Sequence, residues 1–115
     1  MVAAISKLKE TAAELDKLTA AVSGAKNLDA VNEALFLAER ALCPPEGLPG
    51  RTWYRNLISA PGQFTGYGAK TFPGVREAAE FGRWNEANQQ AAVLGRTLAD
   101  YDSRLREAVK LLRAE

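Results

Sequence analysis

The 115-residue chain contains no histidine and one cysteine, Cys43. The first absence removes imidazole as a general base near neutral pH and as a zinc ligand. The second excludes an internal disulfide, a Cys-x-x-Cys motif and a thiolate metal cluster. Neither sign of charge dominates: fifteen Lys and Arg stand against fourteen Asp and Glu, a balance of +1, without the basic surplus of a nucleic-acid-binding chain. No apolar run approaches the roughly 18 residues that would span a bilayer, and no membrane contact is expected. The apolar start at Met1–Ile5 meets Lys7, Lys9 and Glu10 at once, so no signal-peptide hydrophobic segment forms. One free cysteine suits a reducing compartment, but no segment assigns one. These absences argue against a self-sufficient enzyme: the sequence offers no catalytic and no metal-ligating residue.

What is present suits one all-α domain over 1–115. With 47% hydrophobic residues, a chain this long buries roughly 65% of its unfolded surface. Ile5, Leu8, Ala12, Leu15, Leu18 (or Thr19) and Val22 recur three and four apart, which predicts a helix over about 2–22, ended by Ser23-Gly24. Leu28, Val31, Leu35, Ala38 and Leu42, widened by Phe36 and Leu37, predict a second over 28–42, stopped by Pro44-Pro45. The two read as an antiparallel hairpin. All five prolines (Pro44, Pro45, Pro49, Pro61, Pro73) then fall within 43–73, which reads as a long irregular loop. Its Trp53, Tyr54, Leu57, Ile58, Phe64, Tyr67 and Phe72 carry too much apolar area for disorder, so it is expected to fold over the helices. A short helix over 73–81 follows, with Pro73 in its first turn and a break at Gly82. A long one over 84–112 closes the chain, where Ala87, Ala91, Leu94, Leu98, Tyr101, Leu105, Ala108 and Leu112 form a heptad seam.

Few residues offer chemistry. Cys43 and the serines lack an activating base. Glu10/Glu14 and Glu77/Glu80 stand one turn apart, but a di-metal bundle would add Glu-x-x-His partners, so all four read as solvated surface. Arg104, Arg106 and Arg113 read as charged flanks of a core face rather than a membrane-binding helix. The segment from Gly62 to Lys70 differs. It sets Tyr67 between Gly66 and Gly68, with Lys70 close behind. Glycines let backbone approach a ligand, and a phenol beside an ammonium suits a carboxylate.

Two blocks carry a resemblance. One is Gly47-Leu-Pro-Gly-Arg51-Thr-Trp-Tyr54-Arg55-Asn-Leu-Ile58-Ser-Ala60-Pro61; the other is Tyr67-Gly-Ala-Lys-Thr-Phe72-Pro73-Gly74-Val75. With Leu37-Ala-Glu39-Arg40-Ala41 upstream, the chain resembles the transferrin-receptor-like dimerisation domain, the C-terminal helical domain of glutamate carboxypeptidase II-type zinc peptidases. The resemblance covers essentially the whole chain. It implies a non-catalytic homodimerisation domain of a larger, largely extracytoplasmic or secreted protein. Its partners would be a second copy and the protease and apical domains of the same polypeptide. Zinc would lie in that separate protease domain, with no cofactor in this chain. The family's loop between these blocks reaches the substrate cleft, where glutamate-preferring members use a Lys-Tyr pair on a C-terminal glutamate. Tyr67 falls at the tyrosine position, while Gly66 occupies the lysine position and Lys70 lies three residues beyond the tyrosine. The resemblance thus nominates Tyr67, with Lys70 as a neighbouring cation, for substrate binding. Trp53-Tyr54-Arg55 reads as a wedge anchoring the loop to the rest of the protein. A free-standing helical adaptor for a partner protein is the alternative reading.

Overall fold

The computed structural model describes residues 2–20, 28–64 and 68–113. It is mostly helical, with helices α1 (Val2–Ala20), α2 (Leu28–Ala38), α3 (Pro73–Glu80) and α4 (Trp84–Arg113), and strands β1 (Ser59–Pro61) and β2 (Ala69–Thr71). None of the described helices is long and apolar enough to cross a membrane.

The second helix ends earlier than its periodicity suggests. Regular helix stops at Ala38, and Glu39–Leu42 continue as a 3₁₀ turn. Pro44 disfavours helical backbone at Cys43, which sits at φ −121°, ψ 71°, so the last turn tightens instead of extending. The start of α3 is as its sequence indicates, with Pro73 at the first position and Phe72 held in the left-handed region at φ 48°. At its end Gly82 adopts φ 72°. The Gly82 N–H donates to Ala79 and the Arg83 N–H to Ala78, the paired closure that a left-handed residue allows.

Segment 43–73 is not wholly irregular. β1 and β2 pair antiparallel, Ser59 with Thr71 and Pro61 with Ala69. Three-residue strands reading Ser-Ala-Pro and Ala-Lys-Thr show no hydrophobic alternation, so no periodicity could announce them. Before them Gly47 turns the chain at φ 66°, where an added Cβ would stand 2.4 Å from the Thr52 carbonyl oxygen. Only glycine fits there.

The core is built on α4. Leu94 and Leu98 from this helix meet Leu48, Leu57 and Ala60 from the 43–73 segment, with Ala4, Leu8, Leu42, Phe72 and Val75 packed around them. Both α1 and α2 lie principally against α4 rather than against each other, so the expected two-helix hairpin is a pair of flanks on a shared spine. Leu8 packs beside the Leu94/Leu98 layer while Glu14 pairs with Arg113, so α1 and α4 run in the same sense. The seam on α4 holds at Ala87, Leu94, Leu98, Leu105, Ala108 and Leu112, and it widens to bury Thr97, Asp102 and Val109. On α1 the stripe is corrected: Ile5 and Ala12 are exposed and Thr11 is buried. The Thr11 hydroxyl bonds the Lys7 carbonyl at 3.0 Å, which satisfies it inside the protein. The expected Val22 and the Ser23-Gly24 stop lie outside the described residues. The whole is elongated, 51 × 26 × 22 Å with a radius of gyration of 16.5 Å, against about 13 Å for a compact domain of similar length.

Candidate functional site

The β1–β2 hairpin is the element that carries the sequence-nominated residues, and its base is fixed by one ion pair. Arg51 is positioned by a tight turn, its N–H donating to the Leu48 carbonyl at 3.0 Å while Leu48 N–H donates to Tyr54 at 2.9 Å. From there its guanidinium forks. Nη1 donates to the Pro61 carbonyl at 2.6 Å and Nη2 bonds Glu77 Oε1 on α3. The second Glu77 oxygen accepts the Gln63 N–H at 3.0 Å. Arg51 and Glu77 are both buried, and Arg51 Nε has no partner in the structure. One carboxylate and one guanidinium therefore tie the Leu48 turn, the end of β1, the first residue of the hairpin tip and α3 together. Above them the tip is closed by Gly62 N–H donating to Gly68 at 3.1 Å, and below by Phe72 N–H donating to Ile58 at 2.8 Å. The Asn56 side chain caps the entry, accepting from Ile58 and Ser59.

This overturns the reading of Glu77 as solvated surface: helical spacing placed it one turn from Glu80 without revealing that Arg51, twenty-six residues earlier, meets it. The signal available was Arg51 itself, an arginine inside a turn-rich block with no acidic neighbour in sequence. Trp53, Tyr54 and Arg55 take no part in the core within this chain. All three are exposed, Trp53 and Tyr54 contacting one another at 6.2 Å and Arg51 lying over the Tyr54 ring at 5.5 Å. Leu48, Leu57 and Ala60 supply the anchoring area.

Tyr67, the first nominated substrate-binding residue, lies outside the described residues, as does Gly66. Lys70 is on β2, and its ammonium bonds Glu80 Oε2 at 2.6 Å. The other Glu80 oxygen takes Arg76 Nε at 2.9 Å. Hydrogen bonding from Lys70, then from Arg76, holds the Glu80 carboxyl below its ordinary pKa. Within this chain the Lys70 charge is thus already met. Among the described residues no group of three or more His, Cys, Asp and Glu could hold a metal ion. An open cleft of about 550 Å³ lies elsewhere, between the 3₁₀ turn, Cys43–Gly47 and the middle of α4, edged by Arg40, Arg96 and Arg104. No hairpin residue lines it.

Comparison with known proteins identifies the family of the chain. The sequence profile of the transferrin receptor-like dimerisation domain matches residues 1–106. The chain is 37% identical over 78 residues to the probable glutamate carboxypeptidase LAMP1 of Arabidopsis thaliana, covering 68% of the chain and 12% of that protein. It is 40% identical over 48 residues to the probable glutamate carboxypeptidase VP8 of Zea mays, 42% of the chain and 7% of that protein. A probable glutamate carboxypeptidase of Arthroderma benhamiae is 49% identical over 41 residues, 36% of the chain and 6% of that protein. The chain therefore spans only a small fraction of the length of these curated relatives.

Two outcomes are expected. Glu77→Ala strands a buried guanidinium and should cost about 3–5 kcal/mol in urea unfolding, whereas Arg51→Met with Glu77→Leu should cost less than the single change. A Glu77→Ala loss below about 1 kcal/mol, the range of a surface pair, would show that the pair does not form in solution. Lys70→Ala removes the largest influence holding the Glu80 carboxyl low, so its titration midpoint, followed by carboxyl-carbon NMR, should rise. An unmoved midpoint would mean that Lys70 is free to meet another anion.

Proposed function

The chain belongs to the transferrin receptor-like dimerisation domain family, and from that premise we propose that it is the non-catalytic homodimerisation domain of a glutamate carboxypeptidase-like zinc metallopeptidase. In this reading residues 1–115 form one domain, the protease and apical domains and their zinc lie elsewhere in the polypeptide, and two copies pair about a two-fold axis. The observation that carries it is the state of α1. Over nineteen residues this helix buries no leucine or isoleucine fully: Val2 and Ile5 are exposed, and Leu8, Leu15 and Leu18 are half-buried. A helix with an apolar stripe at this spacing is stabilised mainly by packing, and α4 covers only part of it. A second copy laid on the remainder would complete the burial at roughly 25 cal/mol per Å² of apolar surface.

The finer part of the proposal is that the β1–β2 hairpin reaches the substrate cleft of the protease domain and presents Tyr67 to a substrate carboxylate. The support is the hairpin's rigid root: Arg51 and Glu77 fix both sides of its base, so a residue at the tip is carried on a defined support. Lys70 would join only by leaving Glu80.

Light scattering over a wide concentration range should find a mass near twice the 12.4 kDa of the chain. Ile5→Glu, at an exposed position, should give a monomer with unchanged helix content. A wild-type monomer at every concentration would remove the dimer reading. In the full peptidase, Tyr67→Phe should raise KM about ten- to a hundredfold for peptides with an acidic C-terminal residue, as expected for a lost hydrogen bond to a charged group of about 1.5–3 kcal/mol. No change for any peptide would remove Tyr67 from the site.

A further inference from the structure

The arginines of this chain divide into two sets. Arg51, Arg76, Arg83, Arg106 and Arg113 each meet a carboxylate. Among the described residues Arg40, Arg55, Arg96 and Arg104 meet none, and Arg40 lies instead over the Phe36 ring at 4.9 Å. The second set is gathered in one place. Arg40, Arg96 and Arg104 line the open cleft of about 550 Å³ between the 3₁₀ turn and the middle of α4. Arg55 lines a smaller opening beside it, which shares Arg40 and Cys43 with the first.

Helical spacing does not account for the missing partners. Asp100 stands four residues from both Arg96 and Arg104, the interval at which opposite charges on a helix ordinarily meet. The same helix closes that interval between Asp102 and Arg106, at 2.8 Å, but leaves it open around Asp100. Glu46, on the other wall of the cleft, takes no arginine either. Thr97 is 7% exposed and belongs to the lining, and its hydroxyl makes no hydrogen bond within the described residues.

We infer that this cleft binds a small anion carrying two or more oxyanion groups, phosphates or carboxylates, held by the guanidinium groups of Arg40, Arg96 and Arg104. A guanidinium presents paired N–H donors in one plane, the geometry that a carboxylate or phosphate accepts. Arg96 and Arg104 lie about 12 Å apart along α4 and stand across the cleft from Arg40. A singly charged ion satisfies one of them, whereas separated charges on one molecule reach two or three. The volume lies within the roughly 300–1,000 Å³ of small-molecule sites. At the rim three arginines face the carboxylates of Asp100 and Glu46, which leaves one positive charge over, and the chain as a whole carries +1. That suits a small ligand and not a nucleic acid, which needs an extended basic surface. The site depends neither on the hairpin nor on a second copy. An occupant would brace the 3₁₀ turn against α4 and stabilise the fold by mass action.

Cys43, the one cysteine of the chain, also lines the cleft, so its alkylation by iodoacetamide reports occupancy at this place and no other. The 115-residue chain is titrated with inorganic pyrophosphate and, separately, with citrate at constant ionic strength, with acetate as the singly charged control. Calorimetry should find one site per chain for at least one of the two, and the same anion should slow the alkylation, while acetate does neither. Slowing by pyrophosphate alone assigns a phosphate ligand, and slowing by citrate alone a polycarboxylate. Arg96→Gln with Arg104→Gln, at exposed positions, should weaken binding about ten- to a hundredfold, as expected for lost hydrogen bonds to a charged group, with helix content unchanged. Asp100→Asn should tighten it, because one carboxylate facing the anion is gone. Lys110→Gln, on α4 outside the cleft, should leave it as it was. Three results would overturn the proposal: neither anion binds, binding leaves the Cys43 alkylation rate unchanged, or the double arginine variant binds as tightly as the wild type.

Discussion

Arg51 and Glu77 stand twenty-six residues apart and share one buried ion pair, and it fixes the base of the β1–β2 hairpin against α3. The guanidinium holds the Pro61 carbonyl and the carboxylate holds the Gln63 N–H, so the hairpin cannot shift register without uncovering a buried charge. Such a pair adds little stability over apolar residues of the same size, but losing one partner is costly. Its contribution is geometric. The planar fork of arginine fixes two directions at once, and here those directions are the strand end and α3.

Around that point the molecule divides along α4. Near Trp84 the helix carries the latch, the hairpin and the outward rings of Phe64, Phe81 and Trp84. Along it α1 and α2 lie as separate flanks, α1 reaching from the Leu94/Leu98 layer toward Arg113. Burial follows the same division: the fully buried leucines are Leu48, Leu57, Leu94, Leu98, Leu105 and Leu112, all from α4 or the 43–73 segment. The flanks contribute Val31 and Ala38 and leave their larger apolar groups half covered. The elongated shape follows from a core strung along one long helix, with its large buried side chains drawn mainly from α4 and the 43–73 segment.

Much of this was legible in order. The heptad seam on α4 was written in Leu94, Leu98, Leu105 and Leu112, because burial on one face of a straight helix needs only spacing. Pro73 and Gly82 bounded α3 for local steric reasons. The motif blocks of the 43–73 segment identified the family before any packing was known, and the matched profile over 1–106 agrees. The hairpin was not legible, since strands of three residues carry no period, and neither was the outward turn of Trp53 and Phe64. Hydrophobicity says that a ring prefers burial, not which neighbour will be there to bury it.

The sequence by itself therefore determined the four helical segments, both ends of α3, the lack of histidine, and the family. Those follow from composition and from interactions within a few residues of one another. Only the tertiary structure decided that Glu77 is an internal charge, that Lys70 is met by Glu80, and that two tryptophans face out. Each of these depends on groups ten or more residues apart arriving at one place. That meeting is set by how the 43–73 segment closes over α4, which no local pattern encodes.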